Sequence, residues 1–144
     1  MISHVALVVS DMPTSEAFYL AVLGPLGFTK TDAVPGEYTR LTNGDDAVVV
    51  LLPLADAYSA FRYHRRGVGL NHIAFRTARR DAIGEVVEAM SSRGVTPLGE
   101  GRVSTGYRGV YDTVSFEDPD RMMVEIVYHD DAYFERATDN LFPA

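Results

Sequence analysis

The chain has 144 residues, 47% of them hydrophobic, which is enough for one or two small cores. Its net charge of −7, without a basic run, argues against nucleic acid as the main partner. Cysteine is absent, no run of about 18 apolar residues exists, and no charged-then-apolar leader precedes the first strand. We therefore expect a cytoplasmic domain with no membrane span, signal peptide or disulfide.

The first predicted elements are a strand and a helix. Residues 2–9 alternate with the period of a strand; one face is continuously apolar and His4 lies on the other. Asp11 is a predicted N-cap, and Pro13 suits the first turn of the helix that follows. Gly24 is predicted to end that helix.

Three extended segments follow the helix, over residues 27–29, 37–41 and 47–52. The turn between the last two is residues 43–46, which include Asn-Gly. Residues 57–63 fit either a short strand or a helical turn. His64 lies beside two arginines, and we expect it to be exposed rather than a ligand.

The second half of the chain repeats the first. Residues 70–77 reproduce the opening pattern, and His72 follows His4 at an offset of 72 − 4 = 68 residues. Residues 79–93 carry apolar side chains at helical spacing, and Gly94 is predicted to cap that helix.

The rest of the second half is read as extended segments around a loop. Residues 95–97 begin an extended piece, and residues 99–109 contain four glycines, which predicts a flexible or tightly bent loop. Residues 110–116 and 122–128 are predicted strands joined by a turn. The order strand, helix, three strands therefore occurs twice.

Two βαβββ units predict an α+β fold. We expect one domain over residues 1–144, made of units about 1–66 and 67–130 with a tail 131–144. The strands are expected to form a mixed sheet that curls around a shared cavity, with the helices on the outer face.

Three residues suggest a metal site. Glu125 lies in the middle of an apolar strand, where burial of a carboxylate costs several kcal/mol unless it is paired, protonated or bound to metal. The repeat gives His4 and His72 equivalent positions. Two imidazoles and a carboxylate that converge from three strands suit a divalent first-row metal with open positions.

Four short motifs carry a family resemblance: His4-Val5-Ala6-Leu7, Glu16-Ala17-Phe18-Tyr19 with Leu23-Gly24, Asn71-His72-Ile73-Ala74-Phe75, and Phe116-Glu117-Asp118-Pro119-Asp120 leading to Glu125. With them the chain resembles the vicinal oxygen chelate superfamily, which includes glyoxalases, extradiol dioxygenases, fosfomycin-resistance proteins and bleomycin-binding proteins. The resemblance implies that His4, His72 and Glu125 bind the metal. It also implies a homodimer, with the metal site within one chain or across two.

Two positions depart from relatives. An offset of 118 − 43 = 75 places Val50 at the position equivalent to Glu125, where glyoxalase I enzymes carry a fourth, carboxylate ligand. Valine cannot ligate a metal, which disfavours glyoxalase I chemistry. Arg121 stands where the family usually has glycine, which predicts a changed turn.

Other residues are candidates for contact with substrate. Tyr111, Thr113 and Ser115 share one strand face; they either orient a substrate or are solvent-exposed polar residues. Tyr111 is also the candidate acid or base. Tyr107 and Arg108 lie in the glycine-rich loop as a candidate lid or anion clamp. Arg76 follows His72 and Ala74 on one strand face and is a candidate either to pair with an acid or to line the pocket mouth. Tyr38 and Arg40 are the corresponding candidates from the first unit.

The leading functional prediction is a metal-dependent enzyme, dioxygenase-like or lyase/transferase-like, acting on a small oxygenated substrate that chelates the metal. The cofactor is one divalent ion: Fe, Mn, Ni, Zn or Mg. The rival prediction is a metal-free binding protein for a hydrophobic or cationic compound, like the bleomycin-resistance proteins.

Overall fold

The computed structural model describes residues 2–44, 48–99, 102–104 and 111–130, with the backbone alone for residues 102–104. The chain divides into two compact units. The first is Met1–Asn71 with Asp118–Met122, and the second is His72–Glu117 with Met123–Ala144. The predicted tail, residues 131–144, lies outside the described residues.

The first unit is a four-stranded sheet with one long helix. Its elements are β1 (Val5–Val9), α1 (Met12–Leu23), β2 (Thr29–Val34), β3 (Tyr38–Thr42) and β4 (Val48–Pro53). The strand order is β1-β4-β3-β2. β1 runs parallel to β4, whereas the other neighbours are antiparallel.

The second unit repeats this plan. Its elements are β5 (His72–Thr77), α2 (Ala82–Ser91), β6 (Arg102–Ser104), β7 (Tyr111–Glu117) and β8 (Met123–His129). The order β5-β8-β7-β6 matches the first sheet, again with one parallel pair. The predicted α+β class and the two βαβββ repeats are confirmed, with the described strands in two mixed sheets rather than one.

The start and end of α1 follow from its sequence. Asp11 caps the helix, because its carboxylate accepts a hydrogen bond of 2.7 Å from the backbone N–H of Thr14. The helix ends at Leu23, and a 3-10 turn, Gly24–Leu26, follows it. Its buried side chains pack on the apolar face of β3 and β4. The first core comprises Leu7, Val9, Phe18, Tyr19, Val22, Leu23, Leu41, Val49 and Leu51.

The second helix is shorter than the sequence predicted. α2 covers Ala82–Ser91 rather than residues 79–93. Residues at both ends form turns with bonds between residues three apart, as at the N–H of Ala82 and the N–H of Gly94. α2 packs against β7 and β8. The second core comprises Ala82, Val86, Met90, Val114, Phe116, Val124 and Ile126.

The prediction of a loop throughout residues 99–109 was wrong in its middle, where β6 lies. The glycines flank Arg102–Ser104 and none falls within it, so no glycine interrupts the strand. β6 pairs antiparallel with β7 at the edge of the sheet, and this pairing hydrogen-bonds the backbone groups that face β7. In the ambiguous segment, residues 57–63, the helical-turn alternative is the closer one, because a 3-10 helix covers Asp56–Tyr58.

The turn before β8 is held by a buried carboxylate in the first unit. Asp118 accepts hydrogen bonds from the backbone N–H groups of Asp120 and Met122 and from the hydroxyl of Tyr19, at 2.9, 2.7 and 2.8 Å. Burial raises the pKa of Asp118. Arg121 has φ 72°, a left-handed conformation that costs a non-glycine residue about 1 kcal/mol. The residue type therefore departs from the family while the backbone adopts the conformation that glycine favours.

In the part of the chain that the structure describes, neither α1 nor α2 has the length and apolarity required to cross a membrane.

Candidate functional site

One face of the second sheet carries the described candidate residues of that unit. It is the face opposite α2, and we call it the polar face of the second unit. Strand alternation decides the arrangement: Val114, Phe116 and Val124 are buried on the helix side, so their neighbours in sequence point the other way. The candidate residues on the polar face are His72, Arg76, Tyr111, Thr113, Ser115 and Glu125.

The strand register fixes their order on this face. Glu125 lies in the central strand, directly between Ala74 of β5 and Ser115 of β7. His72 is two positions from Ala74 toward one end of β5, and Thr113 is two positions from Ser115 toward the opposite end of the sheet. Each is therefore a diagonal neighbour of Glu125, which a glutamate side chain can reach.

The structure brings His72 and Glu125 together. His72 Nε2 lies 3.7 Å from Glu125 Oε2, and Thr113 Oγ1 donates a hydrogen bond of 2.6 Å to Glu125 Oε1. The side chain of Glu125 is 15% exposed and that of His72 is 40% exposed. The prediction of a buried Glu125 was therefore too strong: the polar face is not covered by α2, and polar groups meet both carboxylate oxygens.

This pair fits a divalent metal ion in donor type and spacing. Two ligand atoms that each lie about 2.0–2.2 Å from a metal are about 3.0–3.5 Å apart, close to the His72–Glu125 separation. Imidazole nitrogen with carboxylate oxygen is a donor set that first-row metals accept. Among the described residues no group of three histidine, cysteine, aspartate or glutamate side chains is assembled, so the described part of the second unit contributes two donors, His72 and Glu125.

The remaining predicted ligand, His4, belongs to the first unit. It lies immediately before β1, and its Nδ1 is 2.9 Å from Ser3 Oγ. When Nδ1 carries the proton, this hydrogen bond leaves the Nε2 lone pair for a ligand. His4 also lines a pocket of about 540 Å³, whose other lining residues are Ser3, Asp32, Tyr38, Arg40, Val48, Val50 and Leu52.

The strand pairing of the first unit makes Val50 the equivalent of Glu125, as the sequence repeat does. Val50 lies between Ala6 of β1 and Arg40 of β3, as Glu125 lies between Ala74 and Ser115. An apolar side chain therefore occupies the position of the carboxylate.

The pocket around His4 has its own polar groups. The hydroxyl of Tyr38 donates a hydrogen bond of 2.6 Å to Asp32, and this bond raises the pKa of the phenol. The guanidinium of Arg40 makes no ion pair or hydrogen bond with the residues that the structure describes. The pocket therefore offers a cation to a ligand, while its phenol is engaged with Asp32.

Two predicted residues, Tyr107 and Arg108, lie outside the described residues, and their role as a lid or anion clamp stays a prediction. Tyr111 and Arg76 lie on the polar face, partly buried and exposed respectively. Tyr111 is two positions from Thr113 along β7, a distance of about 6.8 Å between Cα atoms.

A larger pocket, of about 890 Å³, lies in the first unit, at residues for which the sequence predicted no site. Exposed aromatic rings of Tyr58 and Phe61 line it, with centroids 6.2 Å apart. Asp118 and Asp120 are among its other lining residues. The sequence signal that could have indicated this pocket is the presence of aromatic residues in a segment without strand or helix periodicity.

The model of the Glyoxalase/Bleomycin resistance protein/Dioxygenase superfamily matches residues 1–126 of this chain. The uncharacterized protein YqjT of Bacillus subtilis (strain 168) is 30% identical over 129 residues, which cover 86% of this chain and 95% of YqjT.

Solved structures share the fold. A candidate glyoxalase from Bacillus halodurans has a TM-score of 0.76 at 30% identity, with 89% of this chain and 95% of that one covered. Lactoylglutathione lyase from Agrobacterium tumefaciens has a TM-score of 0.62 at 22% identity, with 89% and 92% covered. At that identity the second likeness shows the fold alone.

Proposed function

Because the chain belongs to the glyoxalase/bleomycin resistance/dioxygenase superfamily, we propose that it is a metal-dependent enzyme acting on a small oxygenated substrate. The substrate would chelate the metal through neighbouring oxygens. The observation that carries the proposal is the His72–Glu125 pair on the polar face, with its donor atoms 3.7 Å apart. The sheet does not need this pair for its own stability, because the face of a sheet opposite its helix is commonly apolar or solvated.

We assign His72 and Glu125 as two ligands of one divalent ion and His4 as the third. The assignment of His4 rests on the repeat and the family resemblance, supported by a Ser3 hydroxyl that holds its other ring nitrogen. When bound, the metal supplies a Lewis acid that stabilises negative charge on substrate oxygens, or dioxygen chemistry if it is iron.

The chain's own residues would position the substrate and move protons. Tyr111 is the proposed acid or base, because its phenol shares the polar face with Glu125 and Thr113. Arg76 on the same face, and Arg40 in the pocket beside His4, would bind an anionic group of the substrate. Ser115, directly opposite Glu125, would donate a hydrogen bond to a substrate oxygen.

The proposed reaction class is dioxygenase-like or lyase/transferase-like. Three protein ligands would leave coordination positions for two substrate oxygens. Val50 is the reason that glyoxalase I chemistry is disfavoured, because a second carboxylate is missing at the equivalent position. We also propose that the protein is a homodimer.

Metal analysis of protein purified without chelator tests the proposal. We expect about one divalent ion per chain, and His72→Ala should weaken binding at least ~100-fold, since loss of even an outer-shell partner costs about 10–100-fold. His64→Ala is the matched control, because His64 is exposed and lies in the first unit outside the His4 pocket. Unchanged metal binding by His72→Ala would contradict the proposal.

The larger pocket favours a second candidate function, binding of a flat, cationic or hydrophobic compound without metal. Its exposed Tyr58 and Phe61 rings suit such a ligand, because an aromatic face attracts cations and apolar groups. A protein that carries no metal, yet binds an aromatic cationic dye less tightly after Phe61→Ala, would favour this function over the enzyme.

A further inference from the structure

The two oxygens of the Glu125 carboxylate have different surroundings. Oε1 accepts the hydrogen bond from Thr113 Oγ1 at 2.6 Å, an ordinary distance for a hydroxyl that donates to a carboxylate. Oε2 faces His72 Nε2 at 3.7 Å. The carboxylate thus spans two neighbours that lie on opposite sides of it along the sheet.

The donor is not the residue that the register places closest. Ser115 is the direct partner of Glu125 in the antiparallel pair, whereas Thr113 pairs with Val127. The Glu125 side chain therefore leans along the strand toward Thr113. Threonine is branched at Cβ, so its hydroxyl has few rotamers and holds its direction in a strand.

We propose that Thr113 is a positioning residue, which holds Oε1 of Glu125 so that Oε2 alone is presented to a metal beside His72 Nε2. This inference rests on the proposed metal site and replaces the earlier prediction that Thr113 binds substrate. A charge-assisted hydrogen bond to one oxygen favours a carboxylate that ligates through the other. One-oxygen ligation leaves more of the metal's positions for the two substrate oxygens.

Titration with Co²⁺ alone tests the inference, because its visible absorption reports coordination as well as affinity. Thr113→Val keeps the branched shape and the strand preference but removes the hydroxyl. We expect its affinity for Co²⁺ to fall about 10–100-fold and its absorption spectrum to change as both carboxylate oxygens become available. Thr113→Ser, which restores the hydroxyl, should return affinity and spectrum toward the parent protein.

The first unit offers a matched control. Thr39 Oγ1 also donates to a glutamate, Glu16, at 2.9 Å, but Thr39 is buried on the helix side of its sheet. Thr39→Val therefore loses the same kind of bond away from the polar face and should leave Co²⁺ binding unchanged. Circular dichroism checks folding; if Thr113→Val does not fold, Thr113→Ala takes its place.

The outcomes separate this inference from the proposed function. If His72→Ala abolishes Co²⁺ binding while Thr113→Val retains the parent affinity and spectrum, the inference is overturned and the metal site stands. If the parent protein binds no Co²⁺, or His72→Ala binds it normally, both fail. A loss in Thr113→Val that Thr113→Ser does not recover overturns the role of the hydroxyl.

Discussion

The two units share one backbone plan and differ in what they display on the sheet face opposite the helix. His4 lies immediately before the first strand of its unit and His72 is the first residue of the corresponding strand, and in both units an alanine follows two positions later. At the central strand the first unit has Val50 and the second has Glu125. On the next strand Arg40 in the first unit corresponds to Ser115 in the second.

The two repeats therefore have the same strand register but different residue types on the face opposite the helix. Register is constrained because a slip by one residue would move every core side chain to the other face. Residues on the face opposite the helix are less constrained in type, so one valine-for-glutamate difference decides whether a sheet offers a carboxylate beside its histidine. In the second unit the carboxylate is present and is held by Thr113.

The largest expected effect concerns a reaction that the comparison excludes. We predict negligible lactoylglutathione-forming activity for the metal-loaded protein, orders of magnitude below a glyoxalase I. That reaction requires a base within hydrogen-bond reach of the transferred proton, and Val50 removes one candidate. The remaining candidates are Glu125, which is also a proposed ligand, and Tyr111 on the same polar face.

The assay uses the hemithioacetal of methylglyoxal and glutathione, with the protein loaded with Ni²⁺ or Zn²⁺ and its metal content measured in parallel. Robust isomerase turnover by the unmodified protein would show that the chemistry does not depend on a carboxylate at position 50.

The second prediction makes the first unit resemble the second. Val50→Glu should tighten divalent-metal binding about 10-fold, because it adds a charged ligand to the pocket that contains His4, in the register position of Glu125. Isothermal titration with Ni²⁺ measures the change.

Val48→Glu is the matched control for Val50→Glu, since Val48 lies on the same strand face and lines the same pocket two positions away. An equal gain in both variants would mean that added negative charge alone attracts the metal, and that the equivalence of Val50 and Glu125 has no chemical consequence.

Local sequence patterns correctly predicted the features that depend on residues close together in the chain. Alternation in β7 correctly separated Val114 and Phe116 from Thr113 and Ser115, and Asp11 was correctly predicted as a cap. The sequence did not predict β6, because an edge strand of three residues exists only through its partner. The Thr113–Glu125 bond was missed for a similar reason: the register suggests Ser115, and a side-chain rotamer decides otherwise.

The two units should also differ in how much an ion pair between the helix region and the sheet contributes to the free energy of unfolding. In the second unit Arg80, just before α2, donates to Asp112 on β7 at 2.5 Å, and the carboxylate is only 9% exposed. Asp112→Ala should lower the free energy of unfolding by about 1–2 kcal/mol, less than for a fully buried pair because Arg80 can be solvated. Urea denaturation measures the loss. Asp81→Ala, which removes an exposed carboxylate near Arg79, should cost almost nothing, and an equal cost would contradict this ranking.

The smallest effect is expected at the corresponding pair in the first unit. Glu16 of α1 accepts hydrogen bonds from Lys30 of β2 at 2.9 and 3.0 Å, and from Thr39 of β3. Because Glu16 and Lys30 are both partly exposed, Glu16→Gln should cost only about 0.5 kcal/mol at pH 7.

The stability difference between the parent protein and Glu16→Gln should depend on pH, and the lowered pKa of Glu16 decides in which direction. The hydrogen bond from Lys30 is the main cause that lowers the pKa of Glu16 in the folded protein. A lowered pKa means that the pair stabilises the fold above the unfolded value of about 4.3, and that this contribution is lost as the pH falls through the folded value. The difference in unfolding free energy between the parent protein and Glu16→Gln should therefore be full at pH 7 and vanish in acid. A difference that stays constant between pH 7 and pH 3 would show that the packing of Glu16, and not its charge, holds α1 to the sheet.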